Sequence, residues 1–302
     1  MKDKDYLRYL EVIEMHMVDL LPDVDPKSLT LYESMKYSLT AGGKRLRPAL
    51  LIGACEFAGG NIQEALPYAC ALEYIHTYSL IHDDLPCMDD DDYRRGIPTN
   101  HKVFGEDIAT LAGDGLLTTA FESMVKDMFL YFDDEMKLKR RIRAIYEIAK
   151  GAGCSGMIAG QMADVENEGK TVSKEMLDYI HINKTAAMIV AAVRAGAYLG
   201  GADYETLSDL TSYAEDLGLA FQIVDDILDV VGDEKVMGKK SGMDAERGKM
   251  TYPGLYGMDS SYARVVELTE NALKTLEKYY DNAEFFNNIV TELAEQIGRA
   301  HV

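Results

Sequence analysis

Residues 61–81 read NIQEALPYACALEYIHTYSLI. Apolar residues recur there at intervals of three and four positions, which predicts a buried helix because side chains so spaced share one helix face. Asn61 follows the Gly59-Gly60 break and is a residue type that caps helix N-termini. The same periodicity returns at residues 106–131, 137–152, 173–199, 204–230 and 261–280. The pattern therefore predicts an all-α protein.

Neither strand signals nor linkers interrupt this pattern. Alternation with a period of two is missing, no Asn-Gly hairpin turn separates apolar runs, and only 7 prolines occur in 302 residues. No low-complexity segment divides the chain, and no repeat has a solenoid period. We therefore expect residues 1–302 to form a single helical domain.

Composition limits the partners and the compartment. The formal net charge is −20, whereas a protein that contacts a nucleic-acid backbone needs the opposite balance. No apolar run reaches the ~18 residues of a membrane span, so we expect neither nucleic-acid binding nor membrane insertion. The charged N-terminus lacks the apolar core of a signal peptide, and four scattered cysteines form no CxxC pair. We expect a cytoplasmic protein.

Two clusters of aspartates lie in or beside strongly apolar helices. The first reads HDDLPCMDDDDYRRG over residues 82–96, and the second reads QIVDDILD over residues 222–229. An acidic run is usually a solvated surface, but carboxylates within apolar helix faces are costly unless a cation compensates them. Mg²⁺ takes one or two protein carboxylates and completes its shell with water and substrate phosphate. The clusters therefore predict metal-bridged phosphate binding.

The spacing of the aspartates indicates which of them can share a metal ion, and in the first cluster it leaves two alternatives for the partner of Asp83. Asp225 and Asp229 of the second cluster, four residues apart, share a helix face. Asp83 and Asp89, six apart, would not share one on an uninterrupted helix, but Pro86 should break the helix and let the chain carry Asp89 back. On an unbroken helix Asp90 would be the partner of Asp83 instead. Both pairings stay open at the level of the sequence.

Basic residues accompany the two clusters. The segment GGKRLRP, residues 42–48, follows a glycine turn and precedes a helix that starts near Pro48. Further cations follow at Arg94-Arg95, Lys184, Lys239 and Lys249. Arginine binds phosphate oxygens in bidentate fashion and lysine acts as a point charge. Their placement beside metal-type carboxylates favours the binding of diphosphate groups.

These segments, in this order, resemble the trans-isoprenyl diphosphate synthases, bacterial farnesyl diphosphate synthases in particular. The resemblance rests on GGKRLRP (42–48), EYIHTYSLIHDDLPCMDDDDYRRG (73–96), PTNH (98–101), GQMAD (160–164), Lys184-Thr185, FQIVDDILD (221–229) and GKMTYP (248–253). It implies an isoprenoid-synthase-type helical bundle around a central cavity, usually a homodimer. It also implies condensation of isopentenyl diphosphate with dimethylallyl or geranyl diphosphate to give farnesyl diphosphate, the C15 product.

The resemblance assigns roles residue by residue. Three Mg²⁺ ions are implied, two held by Asp83 and Asp89 with Asp84 in support, and a third held by Asp225. Asp226 and Asp229 would assist the third. The allylic substrate and its diphosphate would be surrounded by Arg94, Lys184, Thr185, Gln222, Lys239 and Lys249. Isopentenyl diphosphate would be bound by Lys44, Arg47, His76 and Arg95.

Tyr78 bears on product length. It lies five residues before Asp83, roughly 7.5 Å back along a helix at ~1.5 Å per residue. There its ring, with Ser79 beside it, would form a floor under the growing hydrocarbon. The bacterial C15 enzymes resemble this arrangement, whereas C20 synthases tend to have a smaller residue there, so a geranylgeranyl diphosphate synthase is the alternative.

Two other classes of protein fit less well. A terpene cyclase uses one diphosphate substrate, which would leave Lys44, Arg47 and Arg95 without a function. A non-catalytic partner subunit of another synthase would tolerate the loss of one aspartate cluster, whereas this chain keeps both.

Overall fold

Helices make up nearly all of the chain that the computed structural model describes, which is residues 3–23, 25–231 and 249–300. The α-helices are α1 (Lys4–His16), α2 (Leu29–Leu39), α3 (Leu46–Phe57), α4 (Ile62–Asp83), α5 (Asn100–Phe104), α6 (Glu106–Met128), α7 (Glu135–Ala152), α8 (Met157–Asn167), α9 (Lys174–Ile180), α10 (Ala187–Gly200), α11 (Tyr204–Val231), α12 (Tyr252–Tyr256), α13 (Met258–Leu276) and α14 (Glu284–Ala300). Shorter helical segments are the 3-10 turns Pro26–Ser28, Phe129–Tyr131 and Glu277–Ala283 and the π-helical segment His181–Ala186. The all-α prediction is confirmed.

Helix α4 begins and ends where the sequence signals predict. The side chain of Asn61 accepts a hydrogen bond from the Glu64 amide at 3.1 Å, as expected of an N-cap. Residues buried along α4 occupy nearly every face of the helix, which explains why apolar residues recur so densely there. The helix ends at Asp83, directly before the loop that contains Pro86, so the first aspartate cluster starts at its C-terminus.

Small residues bring neighbouring helices close together around this core. A Cβ atom on Gly196 of α10 would lie 2.1 Å from the carbonyl oxygen of Leu51 in α3. One turn later, a Cβ atom on Gly200 would lie 2.3 Å from the carbonyl oxygen of Cys55. Glycine is therefore required at both positions for α10 to approach the backbone of α3.

A two-residue antiparallel hairpin interrupts the helical pattern after the first cluster. Strands β1 (Tyr93–Arg94) and β2 (Ile97–Pro98) pair through a turn at Arg95-Gly96, whose φ angles are 55° and 81°. Two positive φ angles suit the type I′ turn of tight hairpins. The sequence carried no signal for this hairpin, because the strands are too short to show alternation and arginine replaces the usual Asn or Asp at the turn.

Two further observations concern membrane spans and cysteines. Within the described ranges, no helix combines the length and the apolarity needed to cross a membrane. The cysteines are unpaired, with Cys55 and Cys70 buried and Cys87 and Cys154 exposed.

Candidate active site

The loop after α4 decides which aspartate accompanies Asp83. The backbone N–H of Asp89 donates to the carbonyl oxygen of Asp83 at 2.8 Å, so the loop returns to the end of the helix. Asp90 is exposed, has a φ of 49°, and turns its carboxylate toward Lys102 of α5, 3.9 Å away. Asp92 also pairs with Lys102, at 2.7 Å. The structure therefore places Asp89, and not Asp90, beside Asp83.

Asp84 is engaged by an arginine of the hairpin. Arg94 Nε lies 2.7 Å and its Nη2 lies 2.5 Å from Asp84 Oδ1. Asp84 is only 3% exposed, and burial raises the pKa of its carboxyl group, against the opposing effect of Arg94. A buried carboxylate paired in this way fixes the hairpin against the end of α4. Asp84 and Arg94, predicted separately as metal support and substrate ligand, are thus partners of each other.

A carboxylate on α8 joins two of the predicted lysines. Lys184 Nζ lies 2.6 Å from Asp164 Oδ2, and Lys249 Nζ lies 3.6 Å from the same oxygen. Lys249 also approaches Asp89 Oδ1 at 3.6 Å. Burial alone would raise the pKa of Asp164, but the two lysines hold it below its ordinary value. The GQMAD motif contains Asp164, but the sequence did not predict that this residue would pair with two lysines.

The rest of GQMAD explains how α8 reaches this cluster. A Cβ atom on Gly160 would lie 2.1 Å from the backbone nitrogen of Lys184, so glycine is required where α8 meets the π-helical segment. Gln161, one position on, donates from Nε2 to Asp83 Oδ1 at 2.5 Å. Burial raises the pKa of Asp83, and Asp89 adds to the rise while Lys184 opposes it.

Asp226 of the second cluster is buried and surrounded by donors. It accepts hydrogen bonds from Gln222 Nε2 at 2.9 Å and from the backbone N–H of Tyr252 at 2.7 Å. His181 Nε2 lies 3.3 Å from its Oδ2, and the residue is only 4% exposed. On the other side of the amide, the hydroxyl of Thr185 donates to Gln222 Oε1 at 2.6 Å. The predicted residues Thr185 and Gln222 therefore lie together, held in orientation by Asp226.

The other two aspartates of the second cluster differ from each other in exposure. Asp225 is exposed, whereas Asp229 is 2% exposed. The short segment from Lys249 to Tyr252 connects the two clusters, because Lys249 approaches Asp89 and the Tyr252 amide binds Asp226. Lys239 lies outside the described residues.

The carboxylates of the first cluster offer the oxygen ligands that Mg²⁺ prefers. Over the described parts of the chain, no three His, Cys, Asp or Glu side chains converge on one point that could hold a metal. Mg²⁺ does not require three, since it keeps water and phosphate oxygens in its shell. Asp83 and Asp89, which offer only oxygen and lie side by side, fit that chemistry.

Arg45 anchors the GGKRLRP segment. Its guanidinium is buried, and it contacts Glu73 at 2.5 Å, Glu14 at 2.7 Å and the carbonyl oxygen of Leu39 at 2.6 Å. The sequence showed Arg45 only as part of a basic run, whereas the structure makes it the internal support of the loop. Its neighbour Lys44 is exposed. Lys44 Nζ lies 5.8 Å from the ring centroid of Phe221, and so approaches the helix of the second cluster.

A second group of cations forms between this loop and α4. Arg95 of the hairpin donates to the carbonyl oxygen of Gly42, and a Cβ atom on Gly43 would lie 2.5 Å from the Arg95 guanidinium carbon. Burial and the proximity of Arg95 lower the pKa of Arg47. Burial, Arg47 and Arg95 together lower the pKa of His76 well below 6.5. Two arginines this close to each other favour an anion between them, with the neutral His76 beside them.

Comparison with known proteins places a chain with these two polar sites in a family. The model of the family described as polyprenyl synthetase matches residues 28–289. The chain belongs to the polyprenyl synthetase family. Its members are trans-prenyl diphosphate synthases that use isopentenyl and allylic diphosphates, and this chain is one of them.

Individual members of the polyprenyl synthetase family differ in their products. A farnesyl diphosphate synthase from Geobacillus stearothermophilus is 51% identical over 247 residues, 82% of each chain. The large subunit 1 of a heterodimeric chloroplastic geranylgeranyl pyrophosphate synthase from Arabidopsis thaliana is 46% identical over 275 residues, 89% of this chain and 73% of the relative. The crystal structure of an FPP/GFPP synthase from Zymomonas mobilis has a TM-score of 0.82 at 32% identity, covering 96% of this chain and 97% of the other.

The predicted product-length residues of this polyprenyl synthetase lie on the last turns of α4. Tyr78 is 7% exposed, and its ring packs edge-on against that of His82, with centroids 5.7 Å apart. Burial and the nearby Asp83 raise the pKa of the Tyr78 hydroxyl, which therefore stays neutral. Ser79 instead donates its hydroxyl to the carbonyl oxygen of His76 at 2.8 Å. Of the two residues, only Tyr78 presents an aromatic ring one to two turns before Asp83.

Proposed function

We propose that this polyprenyl synthetase adds isopentenyl diphosphate first to dimethylallyl diphosphate and then to geranyl diphosphate, and stops at (2E,6E)-farnesyl diphosphate. The observation that supports the C15 product is the buried Tyr78 ring on α4, one to two turns before Asp83. Because an α-helix rises ~1.5 Å per residue, the Tyr78 ring would lie where the hydrocarbon tail extends from a diphosphate held near Asp83. The alternative is a C20 synthase, since the relatives include both kinds.

Two separate cationic groups support a reaction with two diphosphate substrates. Lys184 and Lys249 lie with Asp83, Asp89 and Asp164 at one group. The other group consists of the cations Arg47 and Arg95 and the neutral imidazole of His76, with Lys44 on the adjoining loop. We assign the allylic diphosphate to the first group and isopentenyl diphosphate to the second. A terpene cyclase, with a single diphosphate substrate, would leave the second group unused.

The carboxylates around the first group suit Mg²⁺, and we propose three ions, as in the resemblance. Asp83 and Asp89 would hold two of them and the exposed Asp225 would contribute to the third. We assign supporting roles to Asp84, Asp226 and Asp229. All three are buried, and the carboxylates of the first two already accept hydrogen bonds from other residues of the protein. When bound, Mg²⁺ supplies positive charge that neutralises the departing pyrophosphate.

The protein's own residues then have distinct tasks. Lys184 and Lys249 add positive charge beside the leaving group. Thr185 and Gln222 present polar oxygens to the electron-deficient allylic carbon, and the Asp226 contact fixes the Gln222 amide in that orientation. The apolar faces of the helices exclude water, which would otherwise capture the allylic cation. The double bond of isopentenyl diphosphate attacks the allylic cation, and the condensed cation then loses a proton. No side chain is required as the final base, because the pyrophosphate that left in the ionisation step and is still bound can accept that proton.

Product analysis tests this proposal. Purified protein would be incubated with Mg²⁺, dimethylallyl diphosphate and excess labelled isopentenyl diphosphate, and the dephosphorylated alcohols resolved by chain length. We expect a dominant C15 alcohol that disappears when EDTA is added. A dominant C20 alcohol would keep the chemistry and refute the Tyr78 floor. No product from the purified chain alone would refute the catalytic assignment and favour a partner subunit.

We also propose that the chain acts as a single-domain homodimer in the cytoplasm. Apolar side chains exposed around the α6–α7 junction and along α7 support an interface, since large exposed apolar patches mark contact surfaces. They include Phe129, Leu130, Phe132, Met136 and Tyr146. The two exposed, unpaired cysteines suit a reducing compartment. Sedimentation of the purified chain would show the mass of a dimer, and a monomer at micromolar concentration would refute the assembly.

A further inference from the structure

His82 lies between two helices at the start of the first cluster. It occupies the last turn of α4, and its Nε2 lies 3.0 Å from the carbonyl oxygen of Thr110 on α6. A carbonyl oxygen only accepts hydrogen bonds, so Nε2 carries the hydrogen and the ring is held in one orientation. Asp114 of α6 faces the same nitrogen, with Oδ1 3.9 Å away. The position of the ring is therefore set by α6 rather than by α4 alone.

Gly113 gives the His82 ring its space. A Cβ atom at this position would lie 2.1 Å from Nε2, 2.5 Å from Cδ2 and 2.9 Å from Cε1. Gly113 lies three residues after Thr110 and one before Asp114, so the three residues contact the imidazole from one face of α6. Glycine is required here by the close approach of the ring and not by an unusual backbone angle.

The same imidazole supports Tyr78. The two residues are four apart on α4, and their rings meet edge to face with an angle of 79°. Contacts thus run in one line, from Gly113 on α6 to the His82 ring and from there to the Tyr78 ring. A change at Gly113 would reach Tyr78 only by moving His82.

We propose that His82 and Gly113 are specificity-determining positions for product length, because together they hold the Tyr78 ring across the path of the growing hydrocarbon. His82 acts as a positioning residue, and Gly113 makes that position available. The inference rests on the proposed C15 function, in which Tyr78 is the floor. The further claim is that the Tyr78 ring keeps its position only when α6 has space for the His82 imidazole.

Product distributions of four variants test the inference. Gly113→Ala would displace the imidazole, and His82→Ala would remove it, while both keep Tyr78. We expect the C20:C15 ratio to rise about two- to tenfold in each, the range that corresponds to the ~0.5–1.5 kcal/mol of an aromatic edge-to-face contact. Tyr78→Ala serves as the benchmark for loss of the floor. The double variant Tyr78→Ala/His82→Ala should lengthen the product no further than Tyr78→Ala, since His82 acts through Tyr78.

Gly115→Ala is the matched control on α6. A Cβ atom on Gly115 would meet Met35 Sδ of α2 at 3.1 Å, away from the imidazole, so the product ratio should match that of the parent. The support role would be refuted if Gly113→Ala and His82→Ala lowered turnover without changing the C20:C15 ratio, while Tyr78→Ala gave longer products. That outcome would leave the proposed function intact. A parent protein that itself makes mainly C20 product would refute the floor and this inference together. His82→Ala keeps the test decisive if Gly113→Ala does not fold.

Discussion

Lys184 and Asp164 form a partly buried ion pair, with Nζ 2.6 Å from Oδ2. Lys249 approaches the same carboxylate at 3.6 Å. A single carboxylate thus keeps two lysines next to each other, although like charges repel, and next to the pair Asp83 and Asp89. A diphosphate that enters this cluster would meet both lysines already in place.

Replacing Asp164 should therefore weaken catalysis. Asp164→Asn keeps the size of the side chain but leaves the two lysines without their shared counter-ion. Hydrogen bonds to charged groups contribute ~1.5–3 kcal/mol, so we expect kcat/KM for the allylic substrate to fall about 10- to 150-fold. Steady-state kinetics with geranyl diphosphate would measure the loss. Glu166→Gln, an exposed change on the same helix, should leave the kinetics unaltered, and equal kinetics for both variants would contradict the assignment.

Adjacent aspartates of the second cluster should respond differently. Asp225 is exposed, whereas Asp226 receives the Gln222 amide and the Tyr252 N–H. Calorimetric titration of Mg²⁺ in the presence of inorganic pyrophosphate would separate the two roles. We expect Asp225→Asn to weaken the Mg²⁺-dependent binding of pyrophosphate at least about tenfold, the result of losing one charged ligand. Asp226→Asn should retain most of that binding and instead lower kcat, because an amide can accept only one of the two hydrogen bonds that Gln222 Nε2 and the Tyr252 N–H donate. Equal losses of binding would show that Asp226 is itself a ligand.

Much of the fold could be predicted because helical periodicity is local. The apolar spacing after Asn61 was enough to predict α4, and the series of similar stretches was enough to predict the all-α fold. The hairpin at Arg95-Gly96 was not predicted, because its strands are only two residues long. The π-helical segment His181–Ala186 was not predicted, because nothing in its sequence HINKTA distinguishes it from an ordinary turn of α-helix.

The candidate site was predicted less completely, since side-chain partners depend on tertiary packing. Asp89 and Asp90 are indistinguishable by type, and only the return of the loop to the Asp83 carbonyl separates them. Asp225 and Asp226 are neighbours, yet one faces outward and the other lies under Tyr252. The GQMAD motif was visible, but the position of Asp164 beside Lys184 became evident only from the approach of α8.

Tyr78 should limit product length. Tyr78→Ala removes the buried ring beneath Asp83 and opens space along α4, so we expect the main product to shift from C15 toward C20 and beyond. Chain-length analysis with excess isopentenyl diphosphate would measure the shift. Tyr78→Phe keeps the ring, and its edge-to-face contact with His82, and should keep the C15 product. A C15 product from Tyr78→Ala would refute the floor.

His76 should make stability depend on pH. Burial, Arg47 and Arg95 lower its pKa in the folded protein well below 6.5, whereas the unfolded chain has a histidine pKa of ~6.5. Above that pH both states hold a neutral imidazole, and the residue adds no pH dependence. As the pH falls below it, the unfolded chain takes up a proton that the folded protein does not, so stability decreases. His76→Gln removes this term, and we expect the Tm of the parent to fall below that of the variant progressively between about pH 6.5 and pH 5, with ligand-free protein followed by circular dichroism. Parallel Tm curves for the two proteins would show that burial and the arginines do not lower the pKa of His76 in the folded protein. Saturating pyrophosphate should reduce the difference, because an anion beside Arg47 and Arg95 offsets the charge that keeps the imidazole neutral.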